Sequence, residues 1–208
     1  MKNKLYIFDL DGVLIDSKQN MQLSWNYVQK KFSLKQNFNK YFQHIGKPFN
    51  GILKDLNIKN KTTAIYKSYN SYSSKNEKKI KIYKDVKNTL YTIKKNNLIA
   101  IVTSKNRRRT ISILDKYKLK FDCISTPNSL LKGKPHPDQI NFVIRKLRIS
   151  KKNTVYIGDT EIDYLCAKKA KVDFIYAKYG YGKLTPKKNI LSINSIKKVL
   201  KYKFNEKN

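Results

Sequence analysis

The chain has 208 residues, 40% of them hydrophobic, which suits one α/β domain or a core carrying a small insertion. Its formal net charge of +32 would suit a nucleic acid or an anionic membrane. Yet 41 of the 46 basic residues are Lys, scattered over the whole length, and Arg is the residue suited to bidentate phosphate contacts; the charge reads as solvated faces, so no specific nucleic-acid partner is expected.

Leu5–Phe8 is a short apolar, β-favouring run and reads as a buried strand. Asp9 and Asp11 stand where it ends, and Gly12 lets the backbone turn sharply. Two carboxylates so placed repel each other unless a cation or a shared proton relieves them. Met21, Trp25, Val28 and Phe32 then recur at helical spacing, and further helical stretches flank the turn His44–Pro48. Ile65, Tyr69 and Tyr72 share another possible helical face, and no strand is expected between about 17 and 82. Val86, Leu90 and Ile93 mark a helix leading to a second strand, Leu98–Thr103. A helix with Ile111 and Leu114 precedes a third strand, Phe121–Ser125; Arg107, Arg108 and Arg109 read as its solvated face. After the loop Lys132–Asp138 comes a helix striped by Ile140, Val143 and Leu147, with Pro137 at its start. Asn153–Ile157 is a fourth strand, ending in Gly158–Asp163, and a further helix leads to a fifth strand, Val172–Tyr176. Ile196, Val199 and Leu200 suggest a terminal helix.

Repeated strand–helix alternation implies a parallel sheet covered on both faces, a Rossmann-like α/β fold. Ligands of such sheets bind beyond the carboxyl ends of the strands. Asp9 and Asp11, Thr103 and Ser104, Lys134 in its loop, and Asp159 with Asp163 all fall there. Carboxylates suit Mg²⁺; hydroxyls, helix-start amides and an ammonium suit a phosphate. Together they describe metal-assisted phosphoryl transfer. Other readings of single residues stay open: Thr103 as a helix N-cap, Asp163 as a charge favouring a helix start, His136 as a loop residue near the site, and His44 and Trp25 as structural.

The stretches FDLDGVLIDS, IVTSK, GKPHPD and YIGDTEIDYLCAKKA resemble, in order and spacing, the four motifs of the haloacid-dehalogenase superfamily, in its phosphoglycolate-phosphatase-like branch. The resemblance spans nearly the whole chain. HIGKPF is similar to a turn of that family's cap, and Tyr179–Gly182 to a loop common in its phosphoglycolate phosphatases. It implies an α/β core of residues 1–16 and 83–208, with an all-helical cap domain of 17–82 inserted after the first strand. It also implies that Asp9 is the nucleophile and that Asp11 is the general acid and then base, which must carry its proton when substrate binds. Mg²⁺ would be held by Asp9, the backbone carbonyl of Asp11, and Asp159. Thr103 and Ser104 would bind phosphate, Lys134 would pair with phosphate and Asp9, and Asp163 would hold Lys134 or a metal-bound water. The activity implied is hydrolysis of a small phosphorylated metabolite, with a phosphosugar mutase or a catalytically silent binding protein as alternatives. Met21, where related mutases carry histidine, disfavours the mutase; the acid at Asp11 disfavours dehalogenation.

No stretch approaches a membrane span, and Asp9 breaks the opening apolar run, so neither membrane association nor a signal peptide is expected. Cys123 and Cys166 lack metal or disulfide spacing, so the expected setting is the cytoplasm, as a monomer or homodimer.

Overall fold

A computed structural model describes residues 4–128, 130–182, 184 and 190–204. Its sheet is built on β1 (Leu5–Phe8), every residue of which is buried. The other strands of this sheet are β4 (Leu98–Val102), β5 (Cys123–Ser125), β6 (Thr154–Gly158), β7 (Asp173–Ala177) and β8 (Leu191–Ile193). Two further strands, β2 (Ile15–Asp16) and β3 (Lys81–Ile82), form a separate antiparallel ribbon. The order in the main sheet is β5-β4-β1-β6-β7-β8, with every neighbouring pair parallel.

Apolar residues run unbroken along the central strands because both faces are covered. Tyr6, Phe8, Ile99, Ile101, Val155 and Ile157 share one core. To it α5 (Val86–Asn96), α6 (Arg107–Tyr117) and a 3-10 helix, Ile196–Lys201, contribute their apolar faces. The alternate residues Leu5, Ile7, Ala100, Val102 and Tyr156 face α7 (Asp138–Leu147) and α8 (Glu161–Ala170). From β1 the chain proceeds outward to β4 and β5, then returns to β6 on the other side of β1. The order therefore reverses between β1 and β6, and such a reversal opens a crevice at the strands' carboxyl ends.

Between β2 and β3 lie four α-helices, α1 (Lys18–Lys31), α2 (Phe38–Phe42), α3 (Phe49–Asp55) and α4 (Thr62–Lys75), and a 3-10 helix, Glu77–Lys79. They bury a core of their own, including Met21, Trp25, Val28, Tyr41, Leu53 and Ile65. Trp25 stacks on Tyr41 at 4.4 Å between ring centroids and donates its indole N–H to Gln36 O.

Three expectations need correction. A strand, β3, does lie within the segment expected to lack one; two residues are too few to show a period, and its pairing with β2 defines it. The terminal helix is a 3-10 helix preceded by an additional edge strand, β8. Arg109 is buried, whereas Arg107 and Arg108 beside it are exposed. Among the described residues, no helix is long and apolar enough to cross a membrane.

Candidate active site

The sheet's reversal brings Asp9, at the end of β1, and Asp159, at the end of β6, together. Asp9 N donates to Ile157 O at 2.9 Å, extending the parallel ladder by one residue and fixing the direction of the carboxylate. Gly12 follows at φ +83, where a Cβ would lie 2.1 Å from Asp159 Oδ2. That position needs glycine twice over, for its backbone and for its space. Gly180 packs against the same carboxylate; a Cβ there would meet Asp159 Cβ at 2.4 Å.

Lys134 is 2% exposed, an ammonium that burial alone would discharge. Its Nζ stands 2.7 Å from Asp163 Oδ1, 3.0 Å from Asp9 Oδ1 and 3.2 Å from the Tyr156 hydroxyl. Burial disfavours the charged lysine, but Asp163 and Asp9 outweigh it and raise its pKa. Asp163 has no oxygen to spare: Oδ1 accepts from Lys134 and Tyr156, and Oδ2 from the amide and hydroxyl of Thr160. The Thr160 contacts form a capping box at the start of α8. Burial works against this carboxylate too, yet Lys134 and these hydrogen bonds hold it below the ordinary aspartate range.

Asp9 and Asp159 are left differently. Asp159 Oδ2 accepts from Tyr181 N at 2.7 Å, while its Oδ1 is buried without a hydrogen bond. Asp9 Oδ1 has Lys134 beside it as a charge but no aligned donor. Burial pushes Asp9 up to about 7, with Lys134 opposing and the Asp163 and Asp11 charges adding to it. Asp159 is pushed well above the ordinary range by burial and by Asp163 and Asp9. Buried carboxylate oxygens without donors are costly. Asp9, Asp159 and Asp163 each offer an oxygen within 4.8 Å of the others. With Asp163 already saturated, Asp9 and Asp159 are the pair that fits a hard cation such as Mg²⁺.

Thr103 is buried at the end of β4, its amide bonded to Ser125 O and its carbonyl to Gln139 Nε2. It is not the cap of α6; Asn106 is, accepting from Arg109 N at 3.0 Å. Ser104 stands next to it, but its hydroxyl donates to Gly46 O at 2.6 Å, in the turn between α2 and α3. Asp11 sits nearer the mouth, taking Ser17 Oγ at 2.5 Å and Lys105 Nζ at 3.2 Å on the same oxygen. His44 pairs with Asp55 within the helical segment, and His136 offers its carbonyl to Cys166. Above this floor is a cavity of about 190 Å³ walled by Met21, Tyr41, Phe49, Tyr66 and Tyr69 of the helical segment. Lys105, Asn106 and Arg109 line its other side.

The structure thus brings Asp9, Asp11, Thr103, Lys134, Asp159 and Asp163 to one edge of the sheet. No role was expected for Lys105 or Tyr181, although Lys105 ends the stretch IVTSK and Tyr181 lies in Tyr179–Gly182. Tyr181 joins two parts of the site. Its amide holds Asp159, while its hydroxyl accepts from Ser17 N at 2.5 Å and Lys18 N at 3.1 Å and donates to Asp16 Oδ1 at 2.9 Å. Those residues are the root of α1.

A parallel α/β sheet with this carboxylate–lysine cluster at its reversal defines a hydrolase class. The chain belongs to the haloacid dehalogenase-like hydrolase family, which it matches over residues 6–177, and it is an enzyme of the phosphatase type. It is 31% identical over 188 residues to a protein of Caldanaerobacter subterraneus named "Putative pyrophosphatase PpaX", covering 86% of this chain and 84% of that one. It is 28% identical over 196 residues to a phosphoglycolate phosphatase of Pasteurella multocida, covering 86% and 87% respectively. A crystal structure titled as a predicted phosphatase of Clostridium acetobutylicum superposes with a TM-score of 0.82 at 26% identity, covering 97% of this chain and all of that one.

Removal of the Tyr181 hydroxyl should loosen the root of α1 without disturbing the floor. Tyr181→Phe is expected to lower phosphatase kcat/KM by roughly fivefold for the loss of about 1 kcal/mol of alignment, and to lower Tm by a few degrees, because Ser17 N and Lys18 N lose their acceptor. Unchanged kcat/KM would remove Tyr181 from the site.

Proposed function

We propose that the protein is a Mg²⁺-dependent phosphatase that hydrolyses a small phosphomonoester, of phosphoglycolate or sugar-phosphate type, through an aspartyl-phosphate on Asp9. The observation that carries this reading is the pair of donor-poor buried carboxylate oxygens, on Asp9 and Asp159, beside a buried Lys134. A carboxylate of Asp9 attacks phosphorus while the bond from phosphorus to the leaving oxygen breaks, and Asp11 gives that oxygen a proton. Asp11 then takes a proton from water, which attacks phosphorus and releases phosphate from Asp9. Thr103 and Lys134 hold the phosphoryl oxygens, and Asp163 keeps Lys134 in place. Mg²⁺ would be held by Asp9, Asp159 and the backbone carbonyl of Asp11, and would supply neutralisation between an anionic nucleophile and an anionic phosphate.

Residues 17–82 act as a cap domain over a core of 1–16 and 83–208. Support comes from their separate hydrophobic core, from the β2–β3 ribbon at their root, and from the Ser104–Gly46 bond at the cavity's lip. A capped site favours compact substrates. The reduced, buried Cys123 and Cys166 fit a cytoplasmic setting.

The test is a comparison of kcat/KM with Mg²⁺ on phosphoglycolate, hexose phosphates, nucleotides, a phosphopeptide and a 5′-phosphorylated oligonucleotide. Small phosphates should lead; a lead for the peptide or oligonucleotide would overturn the cap reading. Asp11→Asn should slow turnover by roughly 10²–10⁴-fold, the usual worth of general acid–base help.

Metal binding has its own signature in stability. Burial pushes Asp9 up to about 7 in the fold, against an ordinary 3.8. Between those values the folded state binds more protons than the unfolded one, so stability falls as pH rises through that window. Asp163, whose pKa is lowered, loses its stabilising contribution only below the ordinary value, outside the window. Mg²⁺ should therefore raise Tm more at pH 8 than at pH 5. At a hundredfold excess over Kd the gain is about 2.7 kcal/mol, or roughly 5–10 °C for a chain of this size. Equal increments at both pH values would place the cation elsewhere.

A further inference from the structure

The cavity that Asp9 lines also holds a buried guanidinium that phosphoryl transfer at Asp9 does not use. Arg109 is 3% exposed and lines the cavity from the first turn of α6. Its Nη1 donates to Glu77 Oε2 at 2.9 Å and its Nη2 to Ser73 Oγ at 3.0 Å. A guanidinium carries five N–H donors, so these contacts leave part of its fork uncommitted. Glu77 in turn is shared, because Ser112 Oγ also lies 3.0 and 3.1 Å from its two oxygens.

The neighbouring polar groups are spent on one another. Asn106 Nδ2 donates to Asn70 Oδ1, and Asn70 Nδ2 donates to Tyr66 O. Ser73 Oγ donates to Asn20 Oδ1, and the Tyr41 hydroxyl donates to that of Tyr69. Asn50 and Tyr66 also line the cavity, with Lys105 nearer the floor. The rest of the Arg109 fork can only donate. A carboxylate or phosphate is purely an acceptor and fits a guanidinium bidentately, which a single neutral hydroxyl does not.

Building on the phosphatase reading, we propose that Arg109 is a specificity-determining residue that binds a second anionic group on the leaving side of the substrate. The substrate class is then a phosphorylated small acid, a carboxylate or a second phosphate, in preference to a neutral sugar phosphate. The cavity, of about 190 Å³, has room for one such compact group beside the phosphoryl site. Arg107 and Arg108 have no part in this, since both are exposed.

The experiment compares kcat/KM on 2-phosphoglycolate and pyrophosphate with that on 2-hydroxyethyl phosphate, which replaces the carboxylate by CH₂OH on the same skeleton. The wild-type enzyme should favour the acids by at least roughly tenfold, the discrimination that one charged hydrogen-bonding contact provides. Arg109→Met should reduce that preference by roughly 10–100-fold, mainly through KM, and Arg109→Lys should recover part of it. Glu77→Gln removes the same ion pair while leaving the guanidinium in place, and should keep the acid preference. If Arg109 merely docks α4 onto α6, Arg109→Met and Glu77→Gln will lower all three substrates alike. That result overturns the proposal, as does wild-type turnover without acid preference, while the phosphatase reading stands. Turnover of a hexose phosphate but of none of these three would also overturn the proposal, whereas absence of turnover on every phosphate of the wider panel would refute the phosphatase reading, and this proposal with it.

Discussion

Asp9→Asn is expected to abolish turnover, to below roughly 10⁻⁴ of wild type, while the protein stays folded. A neutral amide cannot form the acyl phosphate, and its shape differs little from that of the carboxylate it replaces. The stability effect should run in the opposite direction. Burial holds Asp9 at about 7 against an ordinary 3.8, so at pH 8 the fold bears the cost of an ionised, buried carboxylate. Asparagine removes that cost, and Lys134 keeps Asp163 as its counter-ion at 2.7 Å. In chelator at pH 8 the variant should therefore melt above wild type, and its Mg²⁺-dependent increment should shrink or vanish. Wild-type turnover by Asp9→Asn would move the nucleophile to another residue; an unchanged Mg²⁺ increment would move the metal.

Lys134→Met should produce the largest loss of stability among the site variants. Lys134 is the buried cation of a cluster containing Asp9, Asp159 and Asp163. Removing one partner of a buried ion pair leaves the other charge uncompensated, at a cost of about 3–5 kcal/mol. For a chain of this size that is on the order of 10 °C in Tm. The deficit should be largest above pH 7, where Asp9 is ionised, and should shrink as the pH falls and that carboxyl takes up its proton. Activity should fall with it, because the same ammonium would pair with the phosphoryl group. A Tm within a degree of wild type at pH 8 would show that the cluster carries less charge than its geometry implies.

The local sequence was sufficient to define the core and most of the polar residues gathered at the sheet's edge. Leu5–Phe8, Leu98–Val102 and Val155–Ile157 are unbroken apolar runs because strands buried on both faces need no polar side, and that signal lies in adjacent residues. Strand ends fall where those runs stop, so Asp9, Asp11, Thr103 and Asp159 could be placed at one edge once the alternation implied a parallel sheet. Trp25 within the helical segment's core follows equally from helical spacing. Other features had no local signal. Lys81–Ile82 is a strand only because Ile15–Asp16 pairs with it, Ile15 opposite Ile82 and Asp16 opposite Lys81, a contact made by the intervening helices returning to their root. Ser104 is next to Thr103 in sequence, yet its hydroxyl is drawn to Gly46 of the helical segment. Tyr181 acquires its place from three partners more than 160 residues away, Asp16, Ser17 and Lys18. Arg107, Arg108 and Arg109 are chemically identical; each helical residue turns about 100° from the last, and only the packing of α4 and Glu77 against α6 decides which of the three is buried. Residue type and spacing determined which groups chemistry required, whereas the closing of distant segments onto one another decided which of them share a cavity, because those contacts form between residues that no local pattern relates.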